Sequence, residues 1–242
     1  MSDNNPDIKT EGDFFMKKLR LSMIIPGIFV VLMWLVKLTE LAFNADFYSF
    51  GIYPLAKTGL KGIIFSPFIH ADFKHLFNNT LPLFFLSMAL FYFYSEVAVR
   101  VFILNYLLTG FLVWLAGREA WHIGASGLIY GLASFLFFSG ILRRHFRLIA
   151  LSLLIVFLYG SMVWGIFPGI HENVSWESHM LGFFSGILLA IWFRNVGLQK
   201  PRYEWLEENE EEILSDGKGD NLDAGADLQS GPERTYPDEE IK

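Results

Sequence analysis

Apolar positions in this chain come in long uncharged runs, not in faces. Such runs lie between Arg20 and Lys37, Lys74 and Glu96, Arg100 and Arg118, Glu119 and Arg143, Arg147 and Glu172, and Glu177 and Arg194. A spanning helix needs roughly 17–25 mostly apolar residues. Each run approaches or exceeds that length. A helix of a soluble bundle keeps a polar face at a period of 3.6. Stretches such as Leu83–Tyr94 and Ile149–Leu158 keep almost none. The pattern predicts an all-α, polytopic membrane bundle of six transmembrane helices, with both termini on one side.

Composition sharpens this reading. Apolar residues make up 53% of the 242 residues, aromatic residues 17% and charged residues 18%, and the mean hydropathy is +0.38. Ordinary soluble domains carry about 25% charged residues. There is no cysteine, which excludes disulfides, Cys-based zinc sites and thiol catalysis. The net charge of −6 averages two unlike parts. Residues 203–242 hold fourteen acidic and three basic residues, whereas residues 1–202 hold eleven and sixteen. The tail, with Glu207-Glu208-Asn209-Glu210-Glu211-Glu212, has no apolar face to bury and is expected to be disordered.

Basic residues set the expected orientation. Lys9, Lys17, Lys18, Arg20, Arg100, Arg143, Arg144, Arg147, Arg194, Lys200 and Arg202 flank one set of span ends. The opposite set has Lys37, Lys57, Lys61, Lys74 and Arg118. Eleven against five predicts cytoplasmic termini. No cleavable signal peptide is evident, so the first span is expected to stay in the mature protein. The expected division is a cytoplasmic N-terminal segment 1–20, a membrane domain 21–195 and a cytoplasmic tail 196–242. The first outer loop, 38–74, is long and rich in apolar residues, which predicts a folded, partly embedded segment.

Polar side chains inside membrane spans are costly and point to function. The second span opens with His75 and Asn79, the fourth with Gly124-Ala125-Ser126-Gly127 followed by Tyr130 and Gly131, and the sixth with His179, Gly182 and Gly186. These three spans run in the same direction, so their polar starts share one depth. His75 and Asn79 share a helix face, as do Ser126 and Tyr130. Gly127 and Gly131 form one small-residue strip, and Gly182, Gly186 and Ala190 another. Such strips let helices approach closely in lipid. If they pack together, His179 comes within reach of Ser126. A serine needs a base to take its proton, and neutral histidine suits that role. A tetrahedral oxyanion needs donors, which His75, Asn79 and the Ser126 amide can supply. Tyr130 is placed to pack on the His179 ring. No carboxylate lies within the spans, so the expected machinery is a Ser–His dyad. Asp72 and Glu177, near the mouth, receive no role.

Bland alternatives weigh against single residues. Ser126 alone reads as a packing residue; beside His179 and Asn79 at matched depth it does not. His70 and His122 read as interfacial loop residues, His145 as part of a solvated basic loop, and His171 has no role. His171-Glu172 is followed by Asn-Val-Ser, which breaks a zinc-protease motif, so no metal or other cofactor is expected.

These motifs resemble those of the rhomboid family of intramembrane serine proteases. The resemblance runs from about Gly51 to Trp192. It rests on Gly124-Ala125-Ser126-Gly127, on His75 to Asn79, and on His179, Gly182 and Gly186, each on the matching span. The stretch from Gly59 through His70 to His75 is similar to the family's first loop. The resemblance implies Ser126 as nucleophile, His179 as base, His75, Asn79 and the Ser126 amide as oxyanion hole, and Tyr130 stacked on the base. It implies a cavity open to the outside, single-span membrane proteins as substrates, and access beside the fifth span (Leu148–Phe167 and the following loop). A bacterial plasma membrane is the expected setting, since it fits a short chain in which no targeting peptide is evident. Membrane lipids are the other expected partners; nucleic acid is not one. Residues 38–74 lack the Trp-Arg pair of some members. The alternatives are a catalytically silent relative that binds membrane clients and, behind it, a small transporter or channel.

Overall fold

The computed structural model describes residues 6–169 and 175–199. The acidic tail from residue 200 on, and His171 and Glu172 of the short outer loop, lie outside the described residues. Within the described residues seven α-helices follow one another: α1 (Pro6–Ala42), α2 (Gly62–Phe65), α3 (Phe73–Phe93), α4 (Ala98–Ala116), α5 (Ser126–Arg143), α6 (Phe146–Tyr159) and α7 (Trp176–Trp192). A 3-10 segment, Gly160–Ile166, prolongs α6. Among the described residues there is no strand, only one isolated bridge between Ile52 and His122. The chain is thus a polytopic helical bundle.

Among the described residues, five helical stretches are long and apolar enough to cross a membrane: 12–42, 73–93, 98–116, 126–143 and 146–166. The sixth span, α7, has 17 residues and sits at the lower end of the spanning range. Large apolar side chains such as Phe157, Phe111, Leu153 and Phe184 point outward all round the bundle. In water such a surface would aggregate; in lipid it is the solvent-matched face.

Helix α1 runs well beyond the uncharged run that announces it, back through Arg20, Lys18 and Lys17 and forward past Lys37 and Glu40. Charges end an apolar stretch without ending a helix, because the backbone bonds are internal. The loop after it is therefore residues 43–72, and the segment 1–20 is helical from Pro6 onward. Helix starts are locally encoded. The Asp72 carboxylate accepts from the His75 amide at α3 (2.7 Å), the His145 ring from the Arg147 amide at α6 (3.3 Å), and the Ser175 hydroxyl from the Ser178 amide at α7 (3.3 Å). Arg144, with φ 52°, turns the chain sharply from α5 into α6.

Helix α5 is the centre of the bundle. Of its residues 67% are buried, against 22% of the most apolar stretch of α1. It packs most extensively on α7. Glycines make that approach possible. A methyl group on Gly182 would collide with the Gly127 carbonyl oxygen, and one on Gly186 with the Gly131 carbonyl and the Ser134 hydroxyl. Ser134 donates across the same interface to the Phe183 carbonyl at 2.8 Å.

The loop 43–72 is folded, not a tether. The Lys37 ammonium donates to the carbonyls of His70 (2.9 Å) and Ala71 (3.0 Å). The Leu55 amide bonds the Trp114 carbonyl, and the Trp114 indole returns a bond to the Ala56 carbonyl. Tyr106 of α4 donates to the Ile64 carbonyl. The Gly124 amide bonds the Ser66 carbonyl at 2.8 Å, which ties this loop directly to the segment leading into α5.

Candidate active site

The segment entering α5 organises the site. Gly124 has φ +97°, a conformation that side-chain-bearing residues rarely adopt. A methyl group there would also lie 2.7 Å from His75 Nε2 and 3.4 Å from Asn79 Nδ2. The backbone two residues before Ser126 thus runs directly against the two polar side chains of α3. The Asn79 amide nitrogen is buried and without a hydrogen-bond partner among the described residues. An unsatisfied buried donor costs about 1–3 kcal/mol and calls for an explanation. His75 is half-buried, and its ring meets that of His70 edge-on at 4.9 Å.

Ser126 is the first residue of α5 and half-buried. Ala125 precedes it as N-cap and offers no side-chain acceptor. First-turn amides lack helical partners, and no capping side chain competes for them here. Next to it, a methyl group on Gly127 would lie 2.9 Å from Thr109 Cγ2 of α4 and 3.0 Å from the Ser178 carbonyl of α7. The neighbours of Ser126 and His179 are therefore in contact.

On α7, the His179 ring stacks on Tyr130 of α5, with centroids 4.1 Å apart and planes 11° from parallel. His179 Nδ1 lies 2.9 Å from the Gly165 carbonyl oxygen. A carbonyl only accepts, so Nδ1 carries a proton, and in the neutral ring this leaves the lone pair on Nε2. Tyr130 donates to the Met162 carbonyl at 2.6 Å. A methyl on Gly165 would collide with the Tyr130 hydroxyl and sit 3.0 Å from His179 Nδ1. The 3-10 segment after α6 thus fixes both rings through backbone groups.

Several of these parts are absent from the sequence reading. Gly165 and Met162 act through carbonyls, which leave no side-chain signal; only a glycine inside an apolar run hints at the close approach. Asn105 of α4 is buried and donates to the Leu128 carbonyl at 3.0 Å, while Thr109 donates to its carbonyl oxygen at 3.3 Å. Gly131 leaves the space Asn105 fills. A lone Asn in an uncharged run is the signal that could have found it.

His70 and His122 lie in loops, as expected, but are buried, and His145 departs from its expected setting. His145 is buried and caps α6 instead of lying in a solvated loop. His122 is in a loop but buried, with Nδ1 2.6 Å from the Ser175 hydroxyl and Nε2 3.0 Å from the Arg118 carbonyl; burial lowers its pKa. It thereby links the segment before α5 to the cap of α7. His70 is also buried, and burial, with His75 close by, lowers its pKa to about 3. At the mouth, the His75 amide holds the Asp72 carboxyl below its usual pKa. Glu177 is buried at the start of α7 and pairs with Arg118 at 3.5 Å. Among the described residues, no three His, Asp or Glu side chains come together as a metal site would require.

A rhomboid domain matches residues 57–196, from just before α2 to just beyond α7. The chain belongs to the rhomboid family. The matched region contains every residue of the site just described. An uncharacterized protein of Mycobacterium tuberculosis is 34% identical over 170 residues, covering 67% of this chain and 71% of its own. One from Mycobacterium bovis gives the same figures. One from Mycobacterium leprae is 32% identical over 184 residues, covering 71% and 72%. Family membership makes this an integral membrane protein of the rhomboid kind; the names of these relatives assign no activity.

Proposed function

We propose that this rhomboid-family protein is an intramembrane serine endopeptidase that cleaves single-span membrane proteins in or near their transmembrane helix. The observation that carries the reading is the oriented imidazole: His179 stacked on Tyr130, with Nδ1–H held by the Gly165 carbonyl. That arrangement presets the tautomer a general base needs. The unpartnered Asn79 donor beside Gly124 adds support, since an oxyanion would satisfy it.

In this mechanism a few residues of the substrate helix unwind into the site. Ser126 Oγ attacks the scissile carbonyl carbon as His179 Nε2 takes the hydroxyl proton. The oxyanion is held by Asn79 Nδ2, His75 Nε2–H and the Ser126 amide. The C–N bond breaks, the amine leaves with the proton from His179, and an ester to Ser126 remains. Water, deprotonated by His179, hydrolyses the ester and restores the hydroxyl. Tyr130 is a positioning residue for the base. Gly127, Gly182 and Gly186 keep α5 and α7 close enough for the chemistry, and Gly131, expected on the same seam, instead makes room for Asn105 of α4. Substrates reach the site beside α6 and the segment that follows it.

We place both termini in the cytoplasm, following the excess of basic residues on that side, and the protein in a bacterial plasma membrane. The mycobacterial relatives fit that setting. The division into segment 1–20, membrane domain 21–195 and tail 196–242 belongs to the same reading. The test is a fluorophosphonate probe on the folded protein, together with cleavage of a panel of single-span proteins by the parent and by Ser126→Ala. Labelling at Ser126 and fragments lost in the variant are expected. No labelling and no cleavage would assign the chain to a silent, client-binding branch of the family. Cleavage that survives Ser126→Ala would overturn the mechanism.

A further inference from the structure

A groove of about 1090 Å³ runs along the lipid-facing side between α1, α3 and α6. Its walls are apolar: Phe15 and Leu19 from α1, Phe85 and Met88 from α3, Leu154 and Leu158 from α6. It is as large as the upper end of ordinary small-molecule pockets, roughly 300–1,000 Å³. Its two ends differ. At the end near the site stand Phe77, Asn78 and Leu81. At the far end stand Tyr92 and Arg147, and the Lys18 ammonium lies 4.9 Å from the centre of the Tyr92 ring. Phe15 meets the same ring edge-on at 5.9 Å. Arg147 is exposed, and neither it nor Lys18 pairs with a carboxylate among the described residues. An apolar trough that ends in two cations, neither paired with a carboxylate among the described residues, matches an amphiphile with an anionic head.

We propose that the far end of this groove binds an anionic phospholipid, with Arg147 and Lys18 on its phosphate and an acyl chain along α3 and α6. The charge excludes the obvious competitor at this end. A spanning helix of another protein carries Lys and Arg on the side where this chain's own basic residues gather, and would bring like charge to Arg147 and Lys18. A phosphate brings the opposite charge. Length agrees. From Phe77 to Tyr92 the groove follows α3 for about 22 Å at 1.5 Å per residue. One leaflet of hydrocarbon is about 15 Å thick. A lipid from the leaflet opposite the site therefore fills the far two-thirds and leaves the stretch beside Asn78 open. The lipid is a displaceable occupant of the groove, and its binding is independent of the protease reading.

The test uses the full chain in phosphatidylcholine nanodiscs holding a small fraction of phosphatidylglycerol, with retained lipid counted by native mass spectrometry after extraction into neutral detergent. Retention of phosphatidylglycerol over phosphatidylcholine is expected. Arg147→Gln and Lys18→Gln should each weaken it about fivefold. Ala89→Phe, which fills the groove wall and leaves both cations, should weaken it too. Arg144→Gln, an exposed cation that does not line the groove, should not. Equal loss in Arg144→Gln, or no loss in Arg147→Gln, overturns the site. Full retention in Ala89→Phe overturns the acyl part and leaves only surface charge. Unchanged thermal midpoints in lipid-free detergent show that the variants are folded.

Discussion

Replacing Asn79 with leucine should make the protein more stable and almost inactive. Asn79 is 4% exposed, and its Nδ2 is buried without a partner beside Gly124. Leucine has the same branched outline and leaves no donor. Relieving a buried unsatisfied donor is worth about 1–3 kcal/mol. For a chain of this size that is a rise in thermal midpoint of roughly 2–12 °C. The same donor is assigned to the oxyanion, and loss of one such donor lowers kcat by about 10²–10³. The oxyanion exists only as the transition state is approached, so KM should stay near the parent value. The assay pairs single-turnover cleavage of a single-span substrate in vesicles with thermal unfolding in detergent. A midpoint that falls would mean the amide already has a partner in the resting protein. A kcat within twofold of the parent would remove Asn79 from the mechanism. Either result refutes the reasoning, and each refutes a different half of it.

Other expectations follow from the same geometry. His179→Ala should abolish both cleavage and probe labelling of Ser126, while circular dichroism stays helical. Tyr130→Phe should keep most activity, because the ring stack survives and only the bond to the Met162 carbonyl is lost, costing about 1 kcal/mol of stability. Tyr130→Ala should lose the stack, and the rate should drop with it. Gly186→Leu should lower the thermal midpoint sharply and abolish cleavage, since even a methyl group there meets the Gly131 carbonyl. Acid should destabilise the fold through His70. Its pKa is about 3 when folded and about 6.5 when exposed, so the unfolded chain gains a proton first. Stability should be flat above pH 6.5 and decline below it, by at most about 1.4 kcal/mol per pH unit, until pH approaches 3. Denaturant midpoints across this range should show the slope in the parent and a weaker one in His70→Gln.

Much of the bundle is legible along the chain. Uncharged runs mark α3 to α7, because a backbone in lipid must satisfy its own hydrogen bonds and a helix does so within one segment. Glycine spacing on 127, 131, 182 and 186 marks helices that approach closely; in the structure Gly127, Gly182 and Gly186 face backbone oxygens across the α5–α7 contact, whereas Gly131 faces the Asn105 side chain of α4. Charge is the weaker guide. Lys17, Arg20, Lys37 and Glu40 all lie inside α1, and Arg143, which flanks the end of its span, is buried with a bond to the Phe193 carbonyl at 2.8 Å. A long side chain can carry its charge away from its own backbone, so its position in sequence does not fix its depth.

What the amino-acid order determined by itself is therefore local: which segments are helices, that lipid is their solvent, and which unusual polar side chains each one carries. Only tertiary packing decided how the His179 ring is held. Its partners are the Tyr130 ring, distant in sequence, and the carbonyl of Gly165, a group every residue possesses and no letter of the sequence distinguishes. The same packing set the Gly124 backbone against His75 and Asn79. Periodicity and composition follow from each segment's own contact with lipid. The angles and depths at which segments meet depend on shape complementarity between residues far apart along the chain, and that information exists only once the bundle has closed.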